Sequence, residues 1–225
     1  MLNGTVIVKY EGSGLLIESP DDSNHGILVR GTGSTAAGAT IKVSGLGGTH
    51  IETLGDPKSA ITQIDIGLGN GRDQVIMQSV HVSGVINIIT DGGNDTEGGN
   101  DILSVVNVSA ASFSVSLEAG NDVATFVNVH TTEDNLFSVG AGSGRDVVVL
   151  NHVTAGTKGS GGSINVDMGF PGPGGGGSHD ALVVVRSSAD TANFADTDGS
   201  DGILVWKHTG NHFTTQSNTG FATVV

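Results

Sequence analysis

The sequence predicts an all-β chain, a right-handed parallel β-solenoid (β-helix or β-roll-like) of about eight coils. Three observations lead there. Glycine supplies 37 of 225 residues and proline only 4. One unit recurs: an apolar strand, a Gly-rich turn, Gly-x-Asp, and a second apolar strand. The first strand of each unit alternates apolar and polar residues. Glycine is costly inside helices and suits tight turns, while alternation is the period of a half-buried strand. A local motif recurring at variable distance is the mark of stacked coils with loops inserted on one side. Parallel crossovers are overwhelmingly right-handed, and about eight coils at strand spacing extend about 40 Å.

Residues 1–60 form the degenerate first part, read as N-terminal coils or a cap. VIVKYEGSGLLIES (6–19), GILVRGTG (26–33) and IKVSGLGGTHIETLG (41–55) keep the strand–Gly–strand rhythm without the Asp. Glu11-Gly12-Ser13-Gly14 equally suits the turn of a β-hairpin. Residues 61–212 carry the repeat. Ile64/Ile66, Ile86/Ile88, Phe113/Val115, Phe137/Val139 and Ile164/Val166 each place two apolar residues at i and i+2. Ile66, Ile88, Val115, Val139 and Val166 are expected to point inward as one column. The turn aspartates are Asp73, Asp101, Asp122, Asp146, Asp180 and Asp201. The second strands, such as Val147–Leu150 and Leu182–Val185, are continuous apolar runs, as in parallel strands buried on both faces. Residues 213–225 are the expected C-terminal cap strand, since an open edge invites association.

A further segment follows the second strand: Val80-His81-Val82, Val106-Asn107-Val108, Val127-Asn128-Val129 and Leu150-Asn151-His152. Stacked, it makes a ladder of Asn and His side chains that satisfy one another. His81, His130 and His152 sit singly in their coils, which favours a ladder over a shared metal.

Composition narrows the function. The net charge of −14 excludes the basic footprint that nucleic acid requires, and it disfavours an anionic membrane surface. No apolar run is long enough to span a bilayer. Without cysteine there is no disulfide framework or thiol chemistry. Met1–Tyr10 lacks a signal-peptide pattern, so an exported form is expected to be a mature chain, a fragment, or a substrate of a C-terminal export signal.

In Gly-x-Gly-x-Asp, glycine permits sharp turns and frees carbonyls, the Asp adds charge, and stacked turns can share a hard cation that wants six to eight oxygens. Leu68-Gly69-Asn70-Gly71-Arg72-Asp73-Gln74-Val75-Ile76 and Ala141-Gly142-Ser143-Gly144-Arg145-Asp146-Val147-Val148-Val149 are the fullest copies. Gly99-Asn100-Asp101 and Gly120-Asn121-Asp122 keep its second half. Over about Ile64 to Val205 the sequence resembles the RTX or haemolysin-type calcium-binding repeats. It departs from their nonapeptide in lacking the first Gly and in having one motif per longer coil, as in long-coil relatives from large bacterial surface proteins. The resemblance implies calcium as cofactor, with Gly71, Asp73, Gly144 and Asp146 as ligands, and Asp101 and Asp122 beside them. Ions are expected between Asp73 and Asp101, between Asp122 and Asp146, or in the Asp196–Asp201 loop. Two acidic patches add candidates: Asp91, Asp95, Glu97 and Asp101, and the alternating Asp196, Asp198 and Asp201. Neither patch is an EF-hand, and both also suit Asx turns that cap their own backbone.

The expected function is therefore an extracellular structural or binding module of a surface or secreted bacterial protein, stabilised by calcium. Its expected partners are a glycan or a protein, with end-to-end or lateral self-association also open. The alternatives are a phage-fibre-like adhesin and a polysaccharide-acting lyase or hydrolase using Asp95, Glu97 and Arg72. Arg72 and Arg145 lie three coils apart, about 14 Å at strand spacing. They read as salt partners of aspartates in adjacent coils.

Overall fold

The computed structural model describes residues 1–35, 38–55, 60–91, 98–132, 136–157, 159–169, 179–197, 202–206, 210–221 and 223–224. Among these residues nineteen strands form one sheet system, and their pairings are mostly parallel. No helix among the described residues is long and apolar enough to cross a membrane.

Five strands come first: β1 (Thr5–Glu11), β2 (Gly14–Glu18), β3 (Gly26–Thr35), β4 (Gly38–Gly45) and β5 (His50–Leu54). β1 and β2 close an antiparallel hairpin at Gly12, whose φ of 62° suits glycine. β3 and β4 form a second antiparallel pair, bulged at Gly31 and Gly33, and β5 lies parallel to β1.

Strands then come in pairs: β6 (Gln63–Gly67) with β7 (Gln74–Gln78), β8 (Val85–Ile89) with β9 (Ile102–Ala110), and β10 (Ser112–Ser116) with β11 (Val123–Thr131). β12 (Leu136–Gly140) with β13 (Val147–Ala155), β14 (Ser163–Asp167) with β15 (Ala181–Val185), β16 (Ser188–Ala195) with β17 (Ile203–Trp206), and β18 (His212–Thr219) with β19 (Thr223–Val224) follow. The first members stack in parallel on β2, and the second members stack in parallel on β3. Each strand pair is called a tier below. β18 and β19 add one more parallel tier at the C-terminal end.

The inward residues match the alternation. Ile66, Ile88, Val115, Val139 and Val166 pair in register and are each at most 3% exposed. Phe113 and Phe137 stack at 5.8 Å in this column, and Phe126 of the facing column meets Phe137 edge-on at 5.0 Å. Full burial of such side chains stabilises by roughly 2 kcal/mol each.

The expected Asn and His ladder is shifted. Ser79, Asn107, Asn128, His152 and Arg186 mark a second corner, within β9, β11 and β13 and just after β7 and β15, each with φ between 52° and 59°. Asn128 Nδ2 donates to Asn107 Oδ1 at 2.8 Å. The equivalent of Asn107 is Ser79 and not His81, because His81 bridges Ser109. Asn151 pairs with Val127 instead. The left-handed conformation sets this position, and Asn tolerates it best after glycine.

The two columns differ on their outer sides. The first presents small polar groups, with Asp65, Asn87, Ser114, Ser138, Asn165 and Asn193 in register. Asn87 Nδ2 donates to Asp65 Oδ1, and Asn193 Nδ2 to Asn165 Oδ1, both at 2.7 Å. The second presents Ile76, Ser104, Thr125, Val149, Val183 and Val205 in register. Beside them Ile102, Val123, Val147 and Ile203 are 36–41% exposed. The continuous apolar runs of the sequence are thus buried on one face only.

Candidate functional site

The Gly-x-Asp motifs come together at the corner between the two strands of each tier. Asp73, Asp101, Asp122, Asp146 and Asp180 each precede a paired residue of the second column, and each is at most 2% exposed. They form an internal column.

Each carboxylate latches the tier before it. The backbone N–H of Asp73 donates to Asp101 Oδ1 at 2.7 Å, and that of Asp101 donates to Asp122 Oδ1 at 2.7 Å. Asp122 N–H donates to Asp146 Oδ1 at 2.8 Å, and Asp146 N–H to Asp180 Oδ1 at 2.7 Å. The middle residue of the motif latches the opposite way. Arg72 N–H donates to Asn24 Oδ1 at 2.8 Å, Asn121 N–H to Asn100 Oδ1 at 2.8 Å, and Arg145 N–H to Asn121 Oδ1 at 3.0 Å. An arginine has no acceptor to offer the next tier, so the Arg72 Nε–H reaches the carbonyl of Asn100 instead, at 3.4 Å.

The glycine permits the close stacking these bonds require. A Cβ on Gly99 would run into the carbonyl oxygen of Gly71, and a Cβ on Gly144 into that of Gly120. Gly71 and Gly144, expected as calcium ligands, are therefore sites of close backbone approach. Of the acidic patches that also suited Asx turns, Asp101 caps the neighbouring tier, whereas Asp196 caps the backbone of its own loop. The arginines likewise depart from expectation. Among the described residues the ion pairs are Lys9–Glu18, His25–Asp21 and His25–Asp73, and none of them involves Arg72 or Arg145.

The column begins at His25, which the sequence did not single out. It stands in register with Asp73, one residue before β3, and is fully buried. Its N–H donates to Asp73 Oδ1 at 2.6 Å; its Nδ1 lies 3.1 Å from Asp73 Oδ1 and its Nε2 3.1 Å from Asp21 Oδ1. The match of His-Gly-Ile-Leu-Val to Asp-Gln-Val-Ile-Met was available from the strand register alone. At the far end the register gives the column position to Gly202 and not to Asp201. The N–H of Gly202 donates to Asp196 Oδ2 at 2.9 Å. Asp196 itself occupies the inward position that Met168 holds in the preceding tier. Asp95, Asp198 and Asp201 lie outside the described residues.

Burial dominates the electrostatics. Desolvation raises Asp73 and Asp122 to about 8, Asp91 to about 7 and Asp101 to about 6. The neighbouring charges of Asp91 and Asp101 add to the shifts at Asp73 and Asp122. The Thr90 hydroxyl and the Asp73 N–H moderate the rise at Asp101. Burial lowers His25, and hydrogen bonds from Ser23 lower Asp21. These directions fit a neutral imidazole between a protonated Asp73 and an ionised Asp21. Each of Asp73, Asp101 and Asp122 keeps a buried Oδ2 without a hydrogen bond.

Asp91 differs from the column. It is 2% exposed, and neither of its carboxylate oxygens has a hydrogen bond. The N–H groups of Ala119 and Gly99 hold its pKa down without reaching bonding geometry. It lines a groove of about 520 Å³ together with Asp21, Asp22 and Glu118. A second pocket, of about 710 Å³, is lined by His130, Asp190, Asn211, His212 and Phe213 among others. Phe213 rests edge-on against Phe194, with ring centroids 6.1 Å apart. His81, His130 and His212 share one outward column, but hydroxyl residues of intervening tiers separate them.

Oxygen donors suit calcium, and the bare oxygens of Asp91 are the part of the site that fits it. Among the described residues, no three His, Asp or Glu side chains converge on one point that could hold a metal ion. Comparison with family models, curated proteins and solved structures finds no match for this chain.

Proposed function

We propose that the chain is a right-handed parallel β-solenoid of about eight coils, serving as a rigid structural and binding module of a surface or secreted bacterial protein. Two columns of stacked parallel strands support the solenoid reading. We place calcium in the acidic groove at Asp91, in keeping with the resemblance to RTX repeats. The observation that carries it is a buried carboxylate with two oxygens lacking hydrogen bonds, beside Asp21, Asp22 and Glu118. A buried charge of this kind demands a proton or a cation. Extracellular modules bind calcium at about 0.1–1 mM, and ligand at 100 times its dissociation constant adds about 2.7 kcal/mol. Thermal melting at pH 7.5, with 10 mM calcium or with chelator, tests the reading. The expected result is a higher midpoint with calcium, lost in Asp91→Asn. Equal midpoints would reject calcium binding.

A glycan-binding adhesin is the second reading, and the pocket of His130, His212, Asp190 and Phe213 favours it. It combines an aromatic face with hydroxyl, amide and carboxylate groups, as sugar recognition requires. Screening against acidic and neutral polysaccharides should show binding that Phe213→Ala weakens. Turnover in the same screen, abolished by Arg72→Ala in protein that stays folded, would move a polysaccharide-acting enzyme to first place.

A further inference from the structure

The outer side of the second column is chemically unlike the rest of the surface. From the tier of Gln74 to the tier of Ile203 its outward positions hold no charged side chain among the described residues, in a chain with 32 charged residues. Val106, Val127 and Val185 complete the apolar array beside the exposed column of Ile102, Val123, Val147 and Ile203. The first column, in the same tiers, is apolar inside and mostly polar outside, with Ile89 and Leu136 as its exposed apolar residues. The second is apolar inside and mostly apolar outside, broken by Gln74, Gln78, Ser104, Thr125 and Asn151, and so approaches the pattern of strands covered on both faces.

We infer that this outer face is covered by a second copy of the same chain, packed on it sheet to sheet about a twofold axis. The inference specifies the lateral association that a stacked module allows, and it is independent of calcium. Three arguments choose a second copy over another occupant. The face repeats at the tier spacing of about 4.8 Å, so an identical face matches its ridges row for row. Copies bearing −14 repel through most of their surface. They can meet without desolvating carboxylates only on an uncharged face, whereas a basic partner would be drawn to the acidic surfaces. The area is that of a weak association. Six tiers, from that of Ile76 to that of Val205, span about 29 Å, and five residues span about 16 Å. Two such faces cover about 900 Å² in all, the range of weak, reversible interfaces. The dimer is therefore reversible, with dissociation expected at micromolar concentration.

Sedimentation equilibrium from about 1 to 200 μM, in chelator, tests this directly. The expected result is a monomer–dimer equilibrium in the wild type. Val149→Lys, at the centre of the face, should weaken the dimer at least tenfold. Ser138→Lys on the polar face should leave it unchanged. Should Val149→Lys fail to fold, Val149→Cys in this cysteine-free chain replaces it, and its alkylation should slow as protein concentration rises. A wild type that stays monomeric at 200 μM overturns the inference. So does a folded Val149→Lys as dimeric as the wild type, an alkylation rate independent of concentration, or equal disruption by Ser138→Lys. A calcium effect on melting without a dimer would leave the proposed function standing and sink this inference alone.

Discussion

The tiers from β6 to β15 and the five strands before them use the same small aliphatic residues but join their neighbours by different means. The first five strands rely on antiparallel hairpins, in which ladder bonds satisfy the backbone. The later tiers stack in parallel and turn a corner inside every repeat. The corner leaves backbone N–H groups that no strand can satisfy, and buried N–H groups must find partners. Asp and Asn side chains of adjacent tiers supply them. Where the two regions meet, His25 takes the place of an aspartate and closes the column. The comparison teaches that Gly-x-Asp marks a corner needing an acceptor, whether or not an ion binds nearby.

The largest expected effect is on the glycine. Gly99→Ala drives a Cβ into the backbone carbonyl of Gly71, and should cost about 3 kcal/mol or more in urea unfolding. Gly67→Ala, where nothing lies within 4 Å of the added atom, should change stability by less than about 0.5 kcal/mol.

The aspartate comes next. Asp122→Ala removes the acceptor for the buried N–H of Asp101, at a cost of about 2 kcal/mol. Asp122→Asn keeps an oxygen acceptor and removes a charge that burial disfavours. At pH 8 it should equal or exceed the wild type in stability. If Asn proves as damaging as Ala, the charge matters and the acceptor alone does not suffice.

The pH dependence separates the regions further. Asp73, Asp91, Asp101 and Asp122 titrate at about 6–8 when folded, far above the ordinary 3.8. Below pH 4 these groups are protonated whether the chain is folded or unfolded, and their stabilising contribution is complete. Between pH 4 and 8 the unfolded chain has released protons that the folded chain retains, so stability falls as pH rises. His25 opposes this, since its lowered pKa removes stability as pH falls through 6.5. One imidazole faces four carboxylates, and in chelator the melting midpoint should be at least about 5 °C higher at pH 5 than at pH 8. A small effect belongs to the first hairpin. Glu18→Gln breaks a partly exposed pair with Lys9 and should cost less than about 1 kcal/mol.

The strand period, the inward column from Ile66 to Val166 and the hairpin at Gly12 were all legible in the sequence, because side-chain alternation records burial directly. The direction of the aspartates was not legible. Gly-x-Asp reads the same whether its carboxylate meets an ion or a neighbouring N–H, and only tier packing distinguishes the two. His25 was missed because it performs the task of an aspartate with a different side chain. The Asn ladder was misaligned at His81 because backbone conformation, not side-chain type, defines the corner, and Ser79 occupies it in the first regular tier. The apolar runs of the second column could not show that one of their sides faces solvent in the single chain.

The latches described above reach only from one tier to the next. Deleting residues 102–122 would join Asp101 to Val123, and the N–H of Asp101 would meet Asp146 in place of Asp122. Every aspartate latch would find a partner of the same kind. Duplicating the same 21 residues would extend the stack by one step of about 4.8 Å. Copying and loss of short gene segments can thus act on this chain as on a ruler, changing its reach in fixed increments without the invention of a new contact.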